Sequence, residues 1–119
     1  MKQLSDAVRH LGRTTRWSLQ GWRAAWATQR SLRQWTWVIL VSTVFALVLD
    51  LSAGERALLL ALGLLLLAAE LFNTAIEAAV DFVSTARDPR AAMSKDCASA
   101  AVALTALAGF VAWCAILWG

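Results

Sequence analysis

Apolar residues are concentrated in three long blocks along the chain, and short polar stretches separate the blocks. A helix needs about 20 apolar residues to cross the hydrocarbon core of a bilayer, which is about 30 Å thick. The second and third blocks meet this length, and the first does so when its flanks join it. The pattern therefore predicts an all-α protein with three transmembrane helices, at about 35–52, 57–81 and 95–118.

The segment before the first block, residues 1–34, is polar and rich in arginine, and its apolar residues recur every three or four positions. This spacing predicts an amphipathic helix, broken near Gly21, that lies on the membrane surface with its arginines toward anionic headgroups. The same pattern also fits a helix whose role is only to anchor the protein at the membrane surface. The start of the chain lacks the short apolar stretch of a signal peptide, so we expect no cleaved leader.

Composition and charge support a membrane protein and predict its orientation. Hydrophobic residues make up 60% of the 119 residues, and the mean hydropathy is +0.60. Most of the eleven lysines and arginines precede the first block, and three more lie between the second and third blocks. Because cytoplasmic loops carry an excess of positive charge, we expect a cytoplasmic N-terminus and an outward C-terminus.

The second block carries acidic residues on one side of its helix. Positions seven apart differ by about 20° around a helix, so Glu70, Glu77 and Asp81 share one stripe, with Asn73 about 60° to the side. A carboxylate at bilayer depth costs about 2.5–3.5 kcal/mol, and such residues usually face a bundle interior and mark function. The alternative is that these acids only join the helices by pairing with arginines.

The start of the third block carries complementary chemistry. Lys95 and Asp96 are expected at the level of Glu77 and Asp81, with Ser94 capping their helix. An amine neutralises phosphate, and two carboxylates can divide the work of holding a hard cation and accepting a proton. The chain has no G-x-x-x-x-G-K stretch, which excludes a P-loop. The residues thus predict an intramembrane cation site suited to phosphoryl transfer.

Three segments of the chain resemble the prokaryotic integral-membrane diacylglycerol kinase family: "AELFNTAIEAAVD", "SKDCASAAV" and "WCAILW". The signature of that family has the form E-x-x-N-[ST]-A-I-E-x-x-V-D, followed later by K-D, and the upstream "SLQGWRAAW" fits as well. The resemblance covers about residues 17–118. It implies a homotrimer of three-span subunits, each with a surface helix, that moves the γ-phosphate of ATP onto a lipid alcohol with the help of Mg²⁺.

The resemblance also implies roles for individual residues. Glu70 would be the general base, Asn73 would orient the substrate hydroxyl, and Glu77 would hold Mg²⁺ together with Gln29. The residues implied on the nucleotide side are Trp17, Gln29, Glu77, Arg87, Asp88, Lys95 and Asp96. The residues implied along the lipid path are Arg23, Trp26, Arg56 and Ser99.

One departure from the family pattern bears on activity. Gln29 stands where the family usually has a glutamate, and an amide oxygen ligates magnesium without contributing charge, so cation affinity or turnover should fall. Diacylglycerol is the expected acceptor, with undecaprenol as the alternative. A non-catalytic protein that binds lipid or nucleotide on the same scaffold, and a proton channel built on the buried acids, are further alternatives.

Overall fold

The computed structural model describes residues 1–83 and 85–119, and these form four helices. The helices are α1 (Lys2–Thr28), α2 (Arg30–Val48), α3 (Ala53–Val83) and α4 (Pro89–Trp118). The last three are long and apolar enough to cross a membrane. The predicted all-α fold with three candidate spans is therefore confirmed, and a further helix precedes the spans.

The break between the first two helices lies at Gln29. The backbone of Gln29 is extended, with φ −102° and ψ 111°, and its N–H donates to the carbonyl of Ala25 at 2.7 Å. The predicted break near Gly21 is wrong, because α1 continues through this glycine. A single glycine costs a helix only about 1 kcal/mol, which the neighbouring turns offset.

The connection between α2 and α3 is short and tightly bonded. Ser52 and Glu55 form a capping box: the Ser52 N–H donates to Glu55 Oε2 at 2.8 Å, and the Glu55 N–H donates to Ser52 Oγ at 3.2 Å. Together they satisfy two of the N–H groups that the start of a helix leaves unpaired. In addition, Arg56 Nε donates to the carbonyl of Ala46 at 2.9 Å, which supplies a partner in the last turn of α2.

Helix α4 begins earlier than the third apolar block. Asp88 is its N-cap and accepts from the backbone N–H of Arg90 at 2.8 Å, and Pro89 occupies the first helical position. The prediction that Ser94 caps this helix is wrong, since its hydroxyl donates to the Arg90 carbonyl inside the helix. An Asp-Pro pair starts a helix because the aspartate satisfies an N–H and the proline lacks one.

Helix α3 lies at the centre and packs against both α2 and α4. The core is small: Ala46, Leu59 and Ala112 form its cluster, and Leu32 is fully buried. Trp113 of α4 also reaches α2, where its Nε1 donates to Ser42 Oγ at 2.8 Å. Many large apolar side chains of the spans remain exposed in the single chain, as expected for surfaces that face lipid or other subunits.

The helices differ in length, and this difference positions the site. At about 1.5 Å per residue, the 19 residues of α2 extend about 28 Å, while the 31 of α3 and the 30 of α4 extend about 45 Å. The short α2–α3 connection keeps those two helices level at one end. At the other end, α3 and α4 therefore project beyond the start of α2.

Candidate active site at the projecting end of the bundle

Glu70 is the buried acid of the site. The residue is 3% exposed, and among residues 1–83 and 85–119 it is the one charged residue that is buried. Its Oε2 accepts a hydrogen bond from Ser31 Oγ at 3.1 Å, which joins α3 to the first turn of α2. This contact places Glu70 level with the start of α2. Because α2 alone is about as long as a hydrocarbon core is thick, Glu70 lies near one boundary of the apolar layer.

Asn73 and Glu77 follow on the same face of α3. Asn73 Nδ2 donates to Glu77 Oε1 at 3.3 Å, so the amide orients the carboxylate one turn further along. The Oδ1 of Asn73 is buried and accepts no hydrogen bond from the described residues. A buried acceptor without a donor is costly in a folded protein, and it marks a place where a ligand can supply one.

Lys95 of α4 meets the far end of this stripe. Its Nζ lies 2.5 Å from Asp81 Oδ1. Glu77 and Asp81 lie about 10 and 16 Å beyond Glu70 along the axis of α3. The structure thus brings Lys95 to the acidic stripe, while Asp96 and Ser99, on the same helix, are exposed.

A cleft of about 490 Å³ opens where α3 and α4 are joined. Asp81, Arg87, Asp88 and Lys95 contribute to its walls, so three of the residues implied on the nucleotide side share one cleft. Asp88 already has bonds there: the Arg90 side chain donates to it, as does the Arg90 backbone N–H. These bonds hold the pKa of Asp88 below its usual value.

Within residues 1–83 and 85–119, no described hydrogen bond joins the other residues implied by the resemblance to Glu70. Arg56 is 14 positions before Glu70 on α3, about 21 Å along the helix. Trp17 and Arg23 are exposed on α1, and Trp26 stacks on Trp22 with ring centroids 6.1 Å apart.

Gln29 is half-buried at the helix break, and no described hydrogen bond joins it to Glu77. No cluster of three or more histidine, cysteine or acidic side chains suited to a metal occurs among the described residues. A metal at Glu77 would therefore take most of its ligand oxygens from substrate phosphates and water.

Sequence reasoning missed Ser31. A serine near the start of an apolar block carries no motif, and its partner is 39 positions away. The available signal was the polar run "TQRS" before the first span, which places a hydroxyl near the membrane boundary.

Comparison with known proteins identifies the family of this chain. Residues 16–117 match the family model described as prokaryotic diacylglycerol kinase. The chain belongs to the prokaryotic diacylglycerol kinase family. This confirms the family predicted from "AELFNTAIEAAVD" and the prediction of a lipid kinase, and it does not favour the non-catalytic alternative. A kinase of this family takes its phosphoryl group from a nucleotide co-substrate.

Named relatives agree with this family over most of the chain. A diacylglycerol kinase of Pseudomonas aeruginosa is 46% identical over 107 residues, covering 88% of this chain and 85% of that protein. A diacylglycerol kinase of Escherichia coli strain K12 is 35% identical over 102 residues, covering 86% and 84%. A third, from Haemophilus influenzae, is 31% identical over 117 residues, covering 97% and 93%.

Proposed function

We propose that this protein transfers the γ-phosphoryl group of ATP to the free hydroxyl of diacylglycerol, giving phosphatidic acid at the cytoplasmic face of the inner membrane. The observation that carries the proposal is that α3 holds the buried carboxylate of Glu70 and, one turn further along, a buried Oδ1 of Asn73 that has no donor among the described residues. The names of the relatives support diacylglycerol as the acceptor.

The positions of the polar groups along α3 support this division of labour. Glu70 lies level with the start of α2, near the apolar boundary, where the hydroxyl of a membrane lipid resides. Glu77 and Lys95 lie further along the projecting end, where a water-soluble nucleotide has access. Arg23 and Trp26, in the last two turns of α1, lie close along the chain to this boundary and are proposed to contact the lipid headgroup region.

The chemistry follows from these positions. Glu70 accepts the proton of the lipid hydroxyl, and Asn73, one turn further along α3, orients that hydroxyl through its side-chain amide. The lipid oxygen then forms a bond to the γ-phosphorus, the bond from that phosphorus to the β,γ-bridging oxygen breaks, and ADP leaves with the electron pair. Lys95 releases Asp81, binds a phosphate oxygen and offsets the negative charge of the phosphate. Arg87 and Asp96 are further contacts to the nucleotide.

The carboxylate of Glu77 suits Mg²⁺. This ion is usually held by one or two carboxylates together with substrate phosphates and water, rather than by a full cage of protein ligands. Glu77 would supply the carboxylate, and the amide oxygen of Gln29 would be the second protein ligand. When bound, the ion neutralises charge on the phosphates. Asn73 keeps the Glu77 carboxylate oriented for this role.

We further propose that the protein works as a homotrimer. One chain buries few side chains of its spans, and Gln29 makes no described bond to Glu77 within a chain. A neighbouring subunit would cover the exposed apolar surfaces and would allow residues of two chains to complete one site.

The proposal is tested with purified protein in mixed micelles containing Mg²⁺ and ATP labelled on its γ-phosphate. Diacylglycerol and undecaprenol are supplied in parallel reactions. We expect label in phosphatidic acid and a much lower rate with undecaprenol. Preferred labelling of undecaprenol would reassign the acceptor, and the absence of labelled lipid in both reactions would overturn the kinase mechanism. Crosslinking of the same sample in micelles measures the number of subunits, which the proposed homotrimer requires to be three.

A further inference from the structure

Ser31 uses its hydroxyl differently from several threonines in the spans of this chain. Thr36, Thr74 and Thr105, in α2, α3 and α4, each donate to the backbone carbonyl four residues earlier in their own helix. This bond within the helix is the usual local partner of a serine or threonine hydroxyl. Ser31 instead donates to a carboxylate on another helix.

The helix break at Gln29 explains the difference. Four positions before Ser31 is Ala27, which belongs to α1 on the other side of the break. The chain turns at Gln29, so the Ser31 hydroxyl has no continuous helix behind it to supply a carbonyl. The break also brings the first turn of α2 against α3, where Glu70 is buried. The same feature thus frees the hydroxyl and directs it to Glu70.

We propose that Ser31 is a positioning residue for Glu70. Its hydrogen bond occupies Oε2 and fixes the rotation of the carboxylate. Within residues 1–83 and 85–119, no described hydrogen bond reaches the other oxygen, Oε1, and we assign this oxygen to the lipid hydroxyl. Holding a reacting group in one orientation raises the rate of the chemical step without strengthening substrate binding. This inference rests on the proposed role of Glu70 as the base.

The test compares four purified variants in the phosphoryl-transfer assay: Ser31→Ala, Ser31→Thr, Glu70→Gln and the double variant Ser31→Ala/Glu70→Gln. Ser42→Ala is the matched control, since it removes a hydroxyl of α2 that also bonds to another helix, but to Trp113 rather than to Glu70. For each variant, kcat, the KM for diacylglycerol and the thermal unfolding midpoint in detergent are measured.

We expect Ser31→Ala to lower kcat on the order of tenfold, as for loss of one hydrogen bond to a charged group, with little change in KM. Ser31→Thr retains the hydroxyl and should keep kcat near the wild-type value. Ser42→Ala should leave kcat unchanged although it loses a comparable bond between helices. In the double variant, the serine change should have no additional effect, because its partner is already altered.

The outcomes separate the two proposals. If Glu70→Gln keeps wild-type kcat, the proposed role of Glu70 is wrong, and that of Ser31 with it. If Glu70→Gln loses activity while Ser31→Ala does not, the inference on Ser31 alone is overturned. A Ser31→Ala defect that adds in full to that of Glu70→Gln, or that Ser42→Ala reproduces, would show a structural role instead and would also overturn it.

Discussion

Lys95 of α4 and Asp81 of α3 form an ion pair, with Nζ 2.5 Å from Oδ1. The pair joins the two longest helices beside the cleft at their projecting end. Both side chains are partly exposed, at 37% and 53%, and exposed ion pairs contribute only about 0–1 kcal/mol to stability. The importance of the pair is therefore one of position: it holds a lysine at the edge of the cleft, where we propose that a phosphate replaces Asp81.

Replacing Lys95 by methionine should weaken nucleotide binding. The loss of a hydrogen bond to a charged group, about 1.5–3 kcal/mol, corresponds to a rise in the KM for ATP of roughly tenfold or more. The unfolding midpoint should hardly change, because the ion pair is exposed. Steady-state kinetics over a range of ATP concentrations measure the effect. Lys2→Met, at the exposed start of α1, is the control, and an unchanged KM in Lys95→Met would exclude a phosphate contact by Lys95.

Replacing Glu70 by glutamine should remove the base while keeping its shape. General base catalysis contributes about 10²–10⁴-fold, so kcat should fall within this range. Initial rates of phosphatidic acid formation measure it. Glu55→Gln is the matched control, since Glu55 is at the opposite end of α3 and bonds to Ser52 there. Equal losses in the two variants would mean that the fold rather than the chemistry is affected.

Replacing Gln29 by glutamate should strengthen metal binding. A carboxylate adds the charge that the amide lacks, so we expect the Mg²⁺ concentration for half-maximal rate to fall by about tenfold and the rate at low Mg²⁺ to rise. A magnesium titration of the activity measures both quantities. Gln34→Glu makes the same change at an exposed position of α2. A response shared by both variants, or by neither, would argue against Gln29 as a ligand.

Replacing Arg56 by alanine separates a structural role from a role in the lipid path. Its guanidinium donates to the Ala46 carbonyl and, at 3.4 Å, to those of Leu49 and Leu51. Loss of these bonds to carbonyls should cost about 1–3 kcal/mol of unfolding free energy in detergent. The KM for diacylglycerol should change little, because Arg56 is far from Glu70 along α3. A raised KM with unchanged stability would instead place Arg56 in the lipid path.

The structure also explains which features could be predicted. The three apolar blocks predicted the three candidate spans, since a helix of that length satisfies its backbone groups in lipid within a single segment. The helical repeat placed Glu70, Glu77 and Asp81 on one stripe, because these relations are local. Helix ends were harder to predict from the sequence, because the break at Gln29 and the start of α4 at Pro89 depend on caps and turns rather than on hydropathy.

What the sequence by itself determined is thus the set of spans, the polar stripe and the family motif, all of which follow from local periodicity and residue type. Only the tertiary structure decided that Ser31 bonds to Glu70, that Lys95 pairs with Asp81 and that Arg56 satisfies the Ala46 carbonyl of α2. Each of these contacts joins two helices, and its geometry depends on helix length, on the point where the chain turns and on how the helices pack. Hydropathy and the helical repeat carry no information on these distances between helices.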